Sequence, residues 1–239
     1  MKITYIFHSS FCVELEQCIL LFDYFKGTIP QFPSEKKIYV FVSHKHYDHF
    51  DRAIFTLASQ YPNIQFILSN DLKMNEKYLE RMEIPEVAWD KIIYVKKNDI
   101  IEFGEDFKVE TLRSTDEGVA FIVTTQGKVI YHAGDLNWWT WKGETKEEYE
   151  TMTKQFQDEI HRIENRYFDV AFLPLDPRQE ENYYLGFDYF MKHTNTQKAI
   201  AMHFWEQPEV IDKIKQEPEA ISYQERIIPF KEEGESYEI

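Results

Sequence analysis

The sequence predicts an α/β (α+β) fold in which two β-sheets pack face to face with helices outside. Three observations carry this. Apolar runs alternate with helical patterns through the first 95 residues; closely spaced strands with tight turns fill residues 100–132; and strand–helix alternation returns beyond residue 145. A chain of 239 residues that is 43% hydrophobic can bury a core of this size. No repeat or linker divides it, so a single domain over residues 1–239 is expected.

Ile3–Phe7 and Ile19–Phe22 read as strands with Val13 and Leu15 between them, and Asp23 ends the second. Lys26-Gly27 and Pro30–Pro33 make a loop before the apolar strand Ile38–Val42. Asp51 can cap a helix from Ala53 to Tyr61, stopped by Pro62-Asn63. Strand Ile64–Leu68, a helix from Leu72 to Met82 and strand Lys91–Val95 follow. Ile100–Phe103, Phe107–Leu112, Val119–Thr124 and Val129–His132 are the short strands of the middle, the last two joined by a two-residue turn at Gln126-Gly127. A polar helix is expected from Thr145 to Tyr167, where Thr145 and Glu148 have capping-box spacing. Strand Asp169–Leu175, a helix near Phe187–Lys192, strand Lys198–Met202 and an edge strand at Arg226–Pro229 complete the chain, with Glu232–Glu235 as a frayed end.

The net charge of −15 opposes binding to nucleic acid or an anionic membrane face, and basic residues are nowhere concentrated. Only Cys12 and Cys18 are present, which suits a reducing compartment and buried thiols. The apolar run at the N-terminus is too short for a signal-peptide core or a bilayer span. A soluble, cytoplasmic protein with a small-molecule substrate is expected, with homo-oligomerisation open.

The chemistry concentrates in Ser43-His44-Lys45-His46-Tyr47-Asp48-His49, directly after a buried strand. At such a strand end His44 and His46 project to one side, and the following loop returns Asp48 and His49 toward the same space. Imidazole and carboxylate donors at this density suit two ions, zinc first, with manganese or iron as competitors. Further donors stand at strand ends: Asp23 after Phe22, Asp135 after Gly134 and His203 after Met202. Taken singly, Asp135 could be a turn former and His203 a satisfied core imidazole.

His44, His46, Asp48 and His49 resemble the signature of the metallo-β-lactamase superfamily of metal-dependent hydrolases, and the order of the later Asp and His residues resembles it too. The resemblance implies a four-layer αββα sandwich. It further implies that His44 and His46 bind one ion, that Asp48, His49 and His203 bind a second, that Asp135 bridges, and that Asp23 orients a ligand histidine. Asp48 or Asp135 would accept a proton from the attacking water. One position departs from the pattern. The superfamily's middle histidine is missing, since no His lies between Phe50 and Tyr131, and Arg113-Ser114-Thr115-Asp116-Glu117-Gly118 stands there instead. Asp116 is the preferred substitute ligand, with a Ser114 or Thr115 hydroxyl, or a first ion with fewer protein ligands, as alternatives.

His8 is a candidate for the pocket rim or a structural imidazole held by Ser9 or Ser10. Trp138, Trp139 and Trp141 would wall the site or cap the core, and Arg178 would clamp a substrate anion or pair with Asp176. The Ser-Thr-Asp string, His-Ala-Gly-Asp-Leu-Asn and Asp176-Pro177-Arg178 together are similar to the ascorbate-phosphate-lactonase-like branch. A hydrolase using a metal-bound hydroxide on a small ester, lactone or phosphoester is the leading expectation. A nuclease or phosphodiesterase of the same superfamily and a non-catalytic metal-binding module are the alternatives.

Overall fold

The computed structural model describes residues 1–72 and 74–239. It contains two compact units, residues 1–96 with 232–239, and residues 97–231.

The first unit is a seven-stranded mixed sheet. Its strands are β1 (Lys2–Phe7), β2 (Ser10–Glu14), β3 (Cys18–Phe22), β4 (Lys37–Val42), β5 (Ile64–Ser69), β6 (Ile92–Val95) and a closing strand Ser236–Glu238. The closing strand, β1, β2 and β3 pair antiparallel in succession, whereas β3 to β6 run parallel. Ile38, Val40, Phe41 and Val42 are wholly buried, as a strand covered on both faces requires. Each such burial contributes roughly 1.5–3 kcal/mol. Because β3 and β4 are parallel with Phe22 opposite Phe41, Asp23 and Ser43 emerge at the same sheet edge. That register is what brings the Asp23 carboxylate to the Ser43–His49 string.

The second unit is another seven-stranded sheet: β7 (Ile100–Glu102), β8 (Phe107–Arg113), β9 (Val119–Thr125), β10 (Lys128–His132), β11 (Tyr167–Pro174), β12 (Asn195–Met202) and β13 (Ile227–Ile228). Strands β7 to β10 form an antiparallel meander, and β10 to β13 are parallel. The meander turns at Gln126 (φ 50°) and Gly127 (φ 69°), the two left-handed residues that a tight hairpin turn needs. The parallel strands β10, β11 and β12 deliver Asp135, Asp176 and His203 to one sheet edge.

Several elements depart from the sequence-based expectation. The segment after Asp51 is a 3-10 helix, Arg52–Ser59, although Asp51 caps it as expected by accepting the Ala53 N–H at 2.7 Å. The helix expected from Leu72 to Met82 includes Lys73, which lies outside the described residues; α1 covers Glu76–Arg81, and a short α2 (Glu86–Trp89) follows. Helix α3 runs Lys146–His161 behind a full capping box at Thr145 and Glu148, but ends well before Tyr167: past His161 the chain tightens into turns, with Ile163 donating to Ile160 and Glu164 to His161, and then turns left-handed at Asn165 (φ 60°). Helix α4 (Leu185–His193) brackets the expected one, and α5 (Glu209–Ile214) was not anticipated. The acidic tail is not frayed. Tyr5 donates to the Glu235 carbonyl, Gly234 donates back to Tyr5, and the closing strand pairs with β1. Cys12 and Cys18 are buried thiols, and burial pushes Cys12 up to about 12.

Candidate metal centre

In the first unit the Asp23 carboxylate organises the ligand string. It is fully buried and accepts the Ser43 N–H at 2.7 Å, the Ser43 hydroxyl at 2.6 Å and the His49 ring at 2.8 Å. Ser43 has one hydroxyl proton, and the 2.6 Å contact commits it to Asp23. The 3.0 Å contact between Ser43 Oγ and His44 Nδ1 therefore has the ring as donor. Both rings are thus assigned as Nδ1–H tautomers from this network, which leaves each Nε2 as a lone-pair donor. His44 Nε2 lies 3.0 Å from His46 Nδ1. The ligand atoms of His8, Asp48 and His49 lie within 4.8 Å of one another. The loop is held by its own backbone, with the N–H groups of His49 and Phe50 both donating to the His46 carbonyl.

In the second unit the same device recurs. Buried Asp176 accepts from His203 Nδ1 at 2.9 Å and from Arg178 Nε at 3.0 Å, so His203 also presents Nε2, which lies 3.4 Å from Asp135 Oδ1. Burial raises the Asp176 carboxyl, but the hydrogen bonds from His203 and Arg178 outweigh it and hold the group at about 2. Carboxylate oxygens of Asp116 and Asp135 lie within 4.8 Å of each other. Two like charges at that range repel unless a cation sits with them.

Ser114 and Thr115 are committed elsewhere. Ser114 Oγ accepts the Asp116 N–H at 3.1 Å, and Thr115 Oγ1 accepts the Asn137 N–H and donates to the Asn137 carbonyl at 2.6 Å. The Thr115 hydroxyl ties the substitute loop to the segment carrying Asp135, and Asp116 is the residue of this loop whose carboxylate stands within 4.8 Å of Asp135. The Asp135 loop is fixed by its main chain: Ala133 donates to Phe172, and Trp139 Nε1 donates to the Asp135 carbonyl at 3.0 Å.

The tryptophans divide. Trp139 packs edge-on against His203 with centroids 5.5 Å apart and stacks on Trp141. Trp138 instead donates to Thr153 and stacks on Phe156, on the α3 side of the loop. Arg178 is paired with Asp176 and lies over the rings of Trp141 and Trp205. Trp139 and Trp141 also line an open cleft of about 790 Å³ with Lys142, Glu144, Met152 and Gln155. Sequence reasoning passed over Ser43 and the Asp176–His203 pair. The second carried the same strand-end signal that picked out Asp23; the first carried none.

The Asp176 environment gives a prediction about pH. Its carboxyl lies below the unfolded value of 3.8, so its stabilising contribution is complete above that value and fades as pH falls toward about 2. Metal-free Asp176→Asn should therefore be less stable than wild type by about 2 kcal/mol at neutral pH. Urea unfolding should show the two converging between pH 4 and 2. A constant difference across that window would contradict the assignment.

The sequence model of the family described as "Beta-lactamase superfamily domain" matches residues 2–149. No curated protein matches the chain by sequence. Among solved structures, a metallo hydrolase from the hyperthermophilic archaeon Ignicoccus hospitalis is 20% identical with a TM-score of 0.64, covering 100% of this chain and 98% of its own. The metallo-β-lactamase fold protein YhfI from Bacillus subtilis is 13% identical with a TM-score of 0.63, covering 99% of each chain. The short form of human tRNase Z is 14% identical with a TM-score of 0.61, covering 100% and 99%. Likeness of this extent shows the fold class, the αββα sandwich of the resemblance. Among the described residues no helix is long and apolar enough to cross a membrane.

Proposed function

Because the chain belongs to the β-lactamase superfamily and is a metal-dependent hydrolase of that kind, we propose that its His and Asp donors hold a pair of ions and that it hydrolyses a small ester, lactone or phosphoester. His44, His46 and Asp116 take the first ion; Asp48, His49 and His203 take the second; Asp135 bridges. A single domain over residues 1–239 belongs to this proposal.

The observation that carries this reading is the placement of protons. Ser43, Asp23 and Asp176 each occupy the Nδ1 side of a buried histidine, so His44, His49 and His203 offer Nε2 lone pairs. A hydrogen-bonded core histidine has no need of such uniform orientation. Ligands of a tetrahedral or octahedral ion with bonds of about 2.0–2.1 Å stand roughly 3.0–3.4 Å apart. The spacings of 3.0 Å for His44 and His46 and 3.4 Å for His203 and Asp135 fit that range.

Each set offers two imidazoles and one carboxylate, a mixture that suits zinc. The carboxylate of Asp116 in place of an imidazole makes the first set harder and opens it to manganese or iron. A bound pair of divalent cations supplies a water of lowered pKa and polarises the carbonyl or phosphoryl oxygen. Asp48 or Asp135 would accept the one proton that such a water gives up. Asp176, gripped by Arg178, holds His203 in its ligand tautomer, so Arg178 acts through Asp176. Trp139, packed edge-on against His203, would form a wall of the substrate side. The likeness to ascorbate-phosphate-lactonase-like hydrolases belongs with this reading. The net charge of −15 weighs against a polynucleotide substrate, and the buried thiols favour the cytoplasm.

The test is turnover of p-nitrophenyl acetate, γ-butyrolactone, p-nitrophenyl phosphate and a short single-stranded RNA. Hydrolysis of one of the three small probes, abolished by a chelator and restored by zinc or manganese, is the expected result. Turnover of RNA alone would replace this reading with the nuclease one. No turnover of any probe by protein holding two ions would favour a binding module.

A further inference from the structure

His8 sits where β1 turns into β2. Its backbone adopts φ 56°, in the left-handed region that costs a non-glycine residue about 1 kcal/mol or more. A glycine at this turn would avoid the cost. The side chain has no solvent exposure. Its position is fixed from two sides. The backbone N–H donates to the Tyr5 hydroxyl at 2.9 Å, and the ring meets Phe25 edge-on at 5.9 Å.

The ring is turned toward the ligand string of its own unit. Nε2 lies 3.6 Å from Asp48 Oδ2, and the ring centroid lies 6.0 Å from that of His49 in a T-shaped arrangement. A charge-assisted contact between an imidazolium and a carboxylate would close to about 2.7–2.9 Å. At 3.6 Å the two atoms are beyond hydrogen-bonding range, and near the separation of roughly 3.4 Å between two ligands of a tetrahedral ion. The donor atoms of His8, Asp48 and His49 stand together within 4.8 Å, all delivered by one unit.

We infer that His8 is a ligand of the ion held by Asp48 and His49. This rests on the two-ion reading above and extends it. The second ion then has imidazoles from His8, His49 and His203, while the first has His44, His46 and carboxylates only. The histidine that the chain lacks near Asp116 is offset by one gained at the end of β1, at the other ion. The two sites become unequal. The second binds zinc tightly and the first is the exchangeable one.

The test uses cobalt-loaded full-length wild type, His8→Ala and His8→Gln, with chelator competition and the visible d–d spectrum as readouts. Wild type should release cobalt in two steps. In His8→Ala the tighter step should weaken at least about 100-fold, with a changed d–d band. His8→Gln, which preserves side-chain bulk, should show the same loss in lesser degree. Urea unfolding of the metal-free proteins separates a folding defect from a ligand loss; should His8→Ala not fold, the decision passes to His8→Gln. Both steps within twofold of wild type and an unchanged band in a folded variant would overturn the assignment while leaving the two-ion reading intact. Wild type that takes up no cobalt would overturn that reading itself.

Discussion

Asp135→Ala should lower hydrolysis by at least about 10³-fold, equivalent to some 4 kcal/mol of transition-state stabilisation, while leaving the protein folded. In the proposed two-ion centre this side chain would hold both ions and accept a proton, a pair of tasks given to no other described residue. Its loop, by contrast, is secured through main-chain groups, with Ala133 donating to Phe172 and Trp139 donating to the Asp135 carbonyl. Truncation at Cβ removes none of these bonds. Without metal, the substitution also removes the repulsion between Asp135 and Asp116, whose oxygens lie within 4.8 Å. Metal-free Asp135→Ala should therefore be at least as stable as metal-free wild type, and zinc should stabilise it much less. Urea unfolding with and without zinc measures both. A variant that keeps wild-type turnover and two tightly bound ions would remove Asp135 from the centre of the site.

Asp23→Ala should be the most damaging substitution to the fold around the site. Three donors converge on this fully buried carboxylate: the Ser43 N–H, the Ser43 hydroxyl and the His49 ring. Removing the acceptor deletes all three bonds in a water-excluded place, a loss of about 3–5 kcal/mol. It also frees Ser43 to donate to His44 Nδ1, which would turn His44 into the tautomer with a protonated Nε2. Metal affinity should fall by roughly 10- to 100-fold for that reason alone. Asp23→Asn should be milder, since one acceptor oxygen survives. Unfolding free energy of the metal-free protein and chelator competition of the loaded protein report the two effects separately. Near-wild-type values for both in Asp23→Ala would mean that the carboxylate does not organise the ligand string.

Much of this was legible in the sequence, for reasons specific to each element. Strand Ile38–Val42 is a continuous apolar run, and the donor-rich string follows it directly, so strand and site announced each other. Asp23, Asp135 and His203 were found by the same signal, a donor at the end of an apolar run. Ser43 was not, because its importance comes from a single proton shared out among three neighbours, and no residue pattern encodes that. Trp138 and Trp139 are adjacent and of one type, so the sequence could not tell which meets His203 and which packs on α3. The end of α3 was placed too late because neither Gly nor Pro marks it; past His161 the chain passes into tighter turns before the left-handed Asn165. The tail looked frayed because its side chains are acidic, yet its order comes from backbone bonds to Tyr5.

The central claim is that Asp116 replaces the missing histidine in a two-ion centre. Metal content by elemental analysis of purified wild type and Asp116→Ala, side by side, tests it most directly. The account predicts two ions per chain in wild type and one in the variant, the remaining one held by Asp48, His49 and His203. One ion in both proteins would mean that the substitute loop provides no ligand and that the first site stands empty.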